Sequence, residues 1–361
     1  MFKNAELKLD HLYRMTDCTG IIQHSKYSIP DLATGYTTDD NARALIIACM
    51  LNDKFEDESF FNLIVRYLSF LDFAQNKTGR FKNFMNFQRQ FIEEEGSEDS
   101  FGRSLWALGY LASFENLSKG VLEPANQMIR TAIPNLADLK ALRAICYSLI
   151  GLVHLYEKSN KLATRKLVES LAERVFTEFE ANKSEKWYWY ENKVTYANGI
   201  IPYALFKAYS ALGKKKYLKV GMEILTFLEA LCLKDGYLKL IGCHGWAVKG
   251  KSHASFDEQP IDAADMVLAY SEAYRITNNV EYLKKTEICF KWFLGLNCLN
   301  APLINPETGG CFDGLTQKGV NQNQGAESIF SYVISYLIAE KLGIIPQDVD
   351  EPKSNSFEEA V

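Results

Sequence analysis

No run of apolar residues in this sequence is long enough to cross a membrane. The longest, Ala144 to Val153, is about half of the roughly 20 residues a spanning helix needs. The charged opening, Met1 to Asp10, lacks the apolar segment of a secretory signal, so a cytoplasmic protein without a membrane partner is expected. Basic blocks are missing as well. With 40 Lys and Arg against 45 Asp and Glu, and a net charge of -5, the chain offers no clustered cations to nucleic acid. The eight cysteines (18, 49, 146, 232, 243, 289, 298 and 311) show no C-x-x-C spacing, which fits reduced, buried thiols better than a disulfide framework. Strand signals are scarce too: nowhere do polar and apolar residues alternate over a sustained stretch between hairpin turns.

What is present is helix. At 361 residues and 47% hydrophobic content the chain can bury a large core, and its apolar residues recur at helical spacing almost throughout. The spacing predicts twelve helices, near 3–15, 40–52, 57–76, 100–115, 121–134, 138–157, 162–181, 199–212, 215–233, 260–277, 280–296 and 325–342. Connections after the second, fourth, sixth, eighth and tenth are short, which makes antiparallel hairpins. Those entering the even-numbered helices are long, except at 135–137. Long loops are uncommon in compact domains unless they have a function. With alternate helices forming an inner and an outer ring, the long loops all fall at one end. The expected fold is all-α, an (α/α)6 toroid over residues 1–345, its first helix closing the ring beside the last. An elongated solenoid is the competing layout. The tail at 346–361, acidic and without periodicity, is expected to be disordered.

The junctions entering the inner helices carry more polar residues than a helix cap requires. They read Thr38-Asp-Asp-Asn-Ala-Arg43, Glu98-Asp-Ser-Phe-Gly-Arg103, Thr195-Tyr-Ala-Asn198, Phe256-Asp-Glu-Gln-Pro260 and Asn321-Gln-Asn-Gln-Gly-Ala-Glu327. Taken singly, Thr38, Ser100 and Asn198 serve as N-caps and Arg43 and Arg103 reach back to their own acids. Taken together, the five junctions converge on one rim. The loops add aromatic surface there, Trp187-Tyr-Trp-Tyr190 followed by Glu191, and Trp246 beside His244. Aromatic faces beside carboxylates and amides suit a sugar, whose C–H faces stack while its hydroxyls take directional hydrogen bonds.

Glycoside cleavage needs two carboxyl groups, one protonated and one ionised. Asp40 and Asp313 are the first candidates, with Asp39, Glu258, Asp262 and Glu327 in reserve, and Asp99, Glu191 and Asp257 also at the rim. Arg43, Arg103, His24, Gln259 and Asn323 would hold hydroxyls, and Trp189 and Trp246 would stack. Other constellations are weaker. The turn Thr308-Gly-Gly-Cys-Phe-Asp-Gly314 lacks the Lys-Ser/Thr ending of a phosphate loop. Cys243-His244 with Cys311 is poorly spaced for zinc and lacks a fourth ligand, so neither a metal nor a cofactor is expected.

Several of these strings resemble a bacterial family of six-hairpin glycosidase-like proteins. They are Gly20-Ile-Ile-Gln-His-Ser25, Gly35-Tyr-Thr-Thr-Asp-Asp-Asn-Ala-Arg-Ala-Leu45, Phe256-Asp-Glu-Gln-Pro260, Trp292-Phe-Leu-Gly-Leu-Asn297 and Asn321-Gln-Asn-Gln-Gly-Ala-Glu-Ser328, together with Glu98-Asp-Ser-Phe-Gly-Arg103. The resemblance runs from about residue 10 to 342. It implies a toroid that works on carbohydrate, with a glycosyltransferase as a partner in some members. This chain departs from the pattern at Phe101, where the family often has histidine, and at Glu258, where it often has glutamine. A glycoside hydrolase acting on a cytosolic oligosaccharide is the leading expectation. Its alternatives are a non-catalytic glycan-binding accessory of a glycosyltransferase, and a sugar epimerase or isomerase using two of His24, His244 and His253.

Overall fold

The structure, a computed structural model, describes residues 7–114 and 116–345. The tail expected to be disordered, 346–361, lies outside the described residues. Among them are twelve α-helices: α1 (Asp10–Met15), α2 (Thr38–Phe55), α3 (Glu58–Ala74), α4 (Glu98–Ala112), α5 (Lys119–Ala132), α6 (Leu142–Ser159), α7 (Leu162–Asn182), α8 (Ile200–Leu212), α9 (Lys215–Cys232), α10 (Pro260–Thr277), α11 (Val280–Lys291) and α12 (Ala326–Lys341). The first is shorter than expected, since residues 7–9 are not helical.

The even-numbered helices form the inner ring. Each packs on the next, and α12 packs back on α2, which closes the ring and excludes the elongated solenoid. Helices α3, α5, α7, α9 and α11 lie outside the inner helices they follow, and α1 packs on α12. The result is the (α/α)6 toroid, its core filled by the apolar faces between the two rings.

The ends of the inner helices show why the chain turns where it does. Helices α2, α6, α8 and α10 stop at Glu56, Asn160, Gly213 and Asn278, each in the left-handed region, a conformation that ends a helix and starts a tight reversal. At the other end, α2 is capped by Thr37 and α4 by Ser97, whose side chains accept from the backbone N–H of Asp40 and Ser100. Thr38 and Ser100 are therefore inside their helices, and Asn198 lies one residue before the Gly199 that precedes α8. The long loops carry five two-stranded antiparallel ladders, too short to leave an alternating pattern in sequence. Two of them tie separate loops together: Tyr36–Thr37 pairs with Phe84–Met85, and Lys193–Val194 with Ala247–Val248.

Helices α4 and α6 meet backbone to backbone. A Cβ placed on Gly109 would lie against the carbonyl oxygen of Gly151, and one on Gly151 against that of Leu105. Alanine at position 109 gains up to about 1 kcal/mol of helix propensity, but a carbonyl oxygen cannot rotate away, so overpacking dominates. Gly109→Ala is expected to cost about 1–3 kcal/mol in urea unfolding.

Candidate active site

All six inner helices begin at one end, so equal counts from their starts give similar depth, to within a residue or two. The second residues include Asp39, Asp99, Arg143 and Glu327. The sixth include Arg43, Arg103, Tyr147 and Asp265. Residues four apart share a helix face, so these form two polar layers, one turn apart, at the mouth of the ring.

On α2, Arg43 organises the acids. Its Nη2 lies 2.6 Å from Asp40 Oδ1 and 3.6 Å from Asp39 Oδ2, and its Nη1 reaches across to Glu327 Oε2 on α12 at 2.8 Å. The buried Asp40 is fully engaged, because its Oδ2 also accepts from Thr37 Oγ1 at 2.5 Å. Burial, the Asp39 charge and Glu327 push Asp40 up to about 6 against the pull of Arg43 and the Thr37 hydrogen bond. Asp39 behaves oppositely. Burial works to raise it, but Arg43 and Arg103 outweigh burial and hold it below the usual carboxylate range.

The deeper layer contains groups without partners. Arg103, 5% exposed, sits 4.3 Å over the Tyr147 ring and makes no hydrogen bond or ion pair to a described residue. Asp265, also 5% exposed, is likewise without a hydrogen bond or ion pair among the described residues. Burial pushes its carboxyl up to about 7, although Arg103, Arg43 and Arg143 pull the other way. One turn nearer the mouth, Asp262 accepts from Asn198 Nδ2 at 3.4 Å. It is raised well above the ordinary value by burial and then by Asp265. A carboxyl raised by burial and an unpartnered guanidinium thus lie in the same layer of the ring, where a ligand rich in hydroxyls would satisfy both.

Beside this mouth a rim cavity of about 550 Å3 is lined by Asp99, Arg143, Glu191, Thr195 and Tyr196 among others. Arg143 is fixed there by bonds to Tyr196 O (2.6 Å) and Thr195 Oγ1 (2.9 Å), and Tyr196 donates its hydroxyl to Asp99 Oδ2 at 2.6 Å. A larger cavity, about 780 Å3, opens at the opposite end beside Asp53, Glu56 and Tyr110, and none of the candidates lines it.

The mouth therefore gathers Asp39, Asp40, Arg43, Arg103, Asp262 and Glu327 of the expected residues, and adds Asp265, Arg143 and Tyr147, which sequence reasoning missed. Asp265 lay within reach of the pattern, since it follows Asp262 by one helical step of three and matches Arg43 and Arg103 in count. Arg143 was passed over because its helix is entered by a short link. Next to the mouth, Asp313, His24 and Asn323 lie around the start of α12. Asp313 Oδ1 accepts from Gly325 N and Ser328 Oγ, both at 2.7 Å, so half of this carboxylate caps a helix. Asn323 Oδ1 accepts from Tyr27 N, and His24 is exposed. Gln259 occupies the N-cap position of α10 without a side-chain cap bond.

Two expectations are corrected, for Trp189 and Glu258, and two further candidates, Asp257 and Trp246, lie together in the loop before α10. Trp189 is 1% exposed, packs on Phe227 and donates its indole N–H to Lys193 O, so it anchors a loop and offers no face for stacking. Glu258 is fully buried, held by Leu240 N, Trp292 Nε1 and Cys298 Sγ, with burial raising its carboxyl, and so does not reach the mouth. Asp257 pairs with His244, with Oδ2 and Nδ1 3.4 Å apart. Trp246 is half-buried and packed on the core from the same loop. At the other departure from the family pattern, Phe101 is buried edge-on to Phe81.

No known family model matches this sequence, and no curated protein matches it. Solved structures of the same architecture do. A cellobiose 2-epimerase from Bacillus thermoamylovorans superposes with a TM-score of 0.73 at 11% identity, over 94% of this chain and 96% of that one. A D-mannose isomerase gives 0.68 at 10% identity, over 92% and 96%. An α-1,6-mannanase of family GH76 from Salegentibacter, inactivated by changing two consecutive aspartates to asparagine and bound to α-1,6-mannotriose, gives 0.63 at 11% identity, over 92% and 96%. At such identities the likeness is one of fold.

Proposed function

We propose that this protein is a glycoside hydrolase that cleaves an oligosaccharide at the mouth of the ring, with Asp265 as general acid and Asp39 as the ionised carboxylate. The observation that carries this is the divergence of two carboxyl environments in one site. Asp265 is buried without a partner and keeps its proton near neutrality, while two arginines keep Asp39 ionised. Asp40, with both oxygens engaged, positions Arg43 and through it Asp39 and Glu327. Arg103 binds a hydroxyl between the two acids, and the cavity at Arg143, Tyr196 and Glu191 takes a neighbouring sugar unit.

The structural relatives support work on carbohydrate, since they include epimerases, isomerases and mannanases. The mannanase inactivated at two consecutive aspartates gives the Asp39-Asp40 pair a parallel in chemistry. An epimerase using a histidine pair is less well supported. Among the described residues, no histidine lies in the first two turns of an inner helix, and His24 and His244 are exposed in separate loops.

The test is incubation with manno-, gluco- and galacto-oligosaccharides and measurement of released sugar across pH. Asp265 must be protonated and Asp39 ionised to act. Activity is therefore expected to fall as pH rises through about 7, and to persist on the acid side until Asp39 protonates, below the ordinary carboxylate value. Tight oligosaccharide binding without product at any pH would make this a glycan-binding protein instead.

A further inference from the structure

We infer that Cys243, His244 and Asp257 form a binding site for one borderline divalent transition-metal ion, zinc foremost. Their donor atoms all lie within 4.8 Å of one another. In a tetrahedral zinc shell with bonds of about 2.0–2.3 Å, ligand atoms sit roughly 3.3–3.8 Å apart, so small side-chain rotations close the site.

Neighbouring residues of an extended chain point to opposite sides, which is why adjacent Cys and His are a poor metal pair in sequence. Here a tight turn removes that objection. Gly245 N donates to Cys243 O at 2.9 Å, and Gly245 itself has a φ of 134°, where glycine alone is comfortable. The third donor comes from the strand of chain alongside. Cys243 N donates to Asp257 O at 2.9 Å and His244 N to Phe256 O at 3.2 Å, so the backbone holds Asp257 opposite the turn whether or not an ion is bound. Among the described residues these three side chains make no polar contact except with one another. Cys311 does not belong to the group.

The chemistry of the donors selects the ion. Thiolate and imidazole with a single carboxylate favour zinc over calcium or magnesium, which need oxygen shells. The His244 side chain is 75% exposed, so the ion enters from solvent and keeps water in its open fourth position. Once bound, it joins the tip of the loop between α9 and α10 to the residues that lead directly into α10. This site stands independently of the hydrolase assignment, because its readout is binding.

The experiment uses full-length protein freed of metal by a chelator. Zinc is titrated in competition with a chromogenic chelator, and cobalt(II) is added separately for spectroscopy. One zinc per chain is expected, with a thiolate-to-cobalt charge-transfer band in the near ultraviolet and no competition from magnesium or calcium. Cys243→Ser and Asp257→Asn should each weaken zinc at least about tenfold, whereas Cys18→Ser leaves it unchanged. A cobalt complex without the thiolate band, no zinc retained at micromolar concentration, or equal affinity in the Cys243→Ser/His244→Gln double variant would overturn the site.

Discussion

Asp265→Asn is expected to abolish sugar release and, at the same time, to make the protein more stable at alkaline pH. Loss of a general acid costs about 10²–10⁴ in rate, and the amide cannot deliver a proton to a leaving group. The stability gain has a separate cause. The folded carboxyl titrates near 7 and its ordinary value is 3.8, so between those two values the folded state holds a proton that the unfolded state has released. Stability of the native sequence therefore falls as pH rises across that window, and the variant escapes this loss. An unpaired buried polar group costs about 1–3 kcal/mol, more when charged, so a gain of that order at pH 8 is expected in urea unfolding. Retention of activity within tenfold would remove Asp265 from the mechanism. A variant inactive but less stable at pH 8 would mean that its carboxyl has a structural partner.

Arg43→Gln should be the most damaging single change to stability at the mouth. At alkaline pH, where Asp40 is ionised, the substitution leaves it buried without its counter-ion, and removal of one member of a buried ion pair costs about 3–5 kcal/mol. Nearer neutrality Asp40, already up to about 6 with Arg43 in place, takes a proton instead. The other partner matters less. Glu327 has 40% of its side chain exposed, so Glu327→Gln should cost at most about 1 kcal/mol. Acid should partly rescue the arginine variant, because protonation of Asp40 removes the uncompensated charge. Lysine is expected to be a poor substitute, since a single ammonium cannot fork between Asp40 and Glu327 as the guanidinium does. Equal urea midpoints for Arg43→Gln and Glu327→Gln would show that Asp40 does not depend on the pairing.

The ring was legible in the sequence because two periodicities agreed: the apolar spacing marked the helices, and the alternation of short and long links placed their starts at one end. The run Thr38 to Arg43 was legible as a candidate site because it exceeds what a cap needs. Asp265 was not, since within Ala263-Ala264-Asp265-Met266 a single acid has no polar neighbours to draw attention. Trp189 shows the limit for aromatics, which read the same in sequence whether they anchor a loop or face a ligand. Asp313 illustrates another limit, because nothing local shows that it caps a helix whose N-cap residue, Gly325, lies twelve residues further on. The Cys243-His244 pair failed for a similar reason: its third donor arrives through a loop reversal that leaves no periodic trace.

The bond between Arg43 and Glu327 spans 284 residues of chain, and that between Lys54 and Glu340 spans 286. Both link the first inner helix to the last, so neither exists until α12 has been synthesised. During translation the acids of α2 wait beside an arginine whose partner on α12 has not yet been made. Such non-local closure is slow, and the open inner face is the surface on which nascent chains of this fold would mispair. A chain arrested before α12 carries both aspartates of α2, Arg103 and Asp265, and still lacks the helix that closes the ring around them.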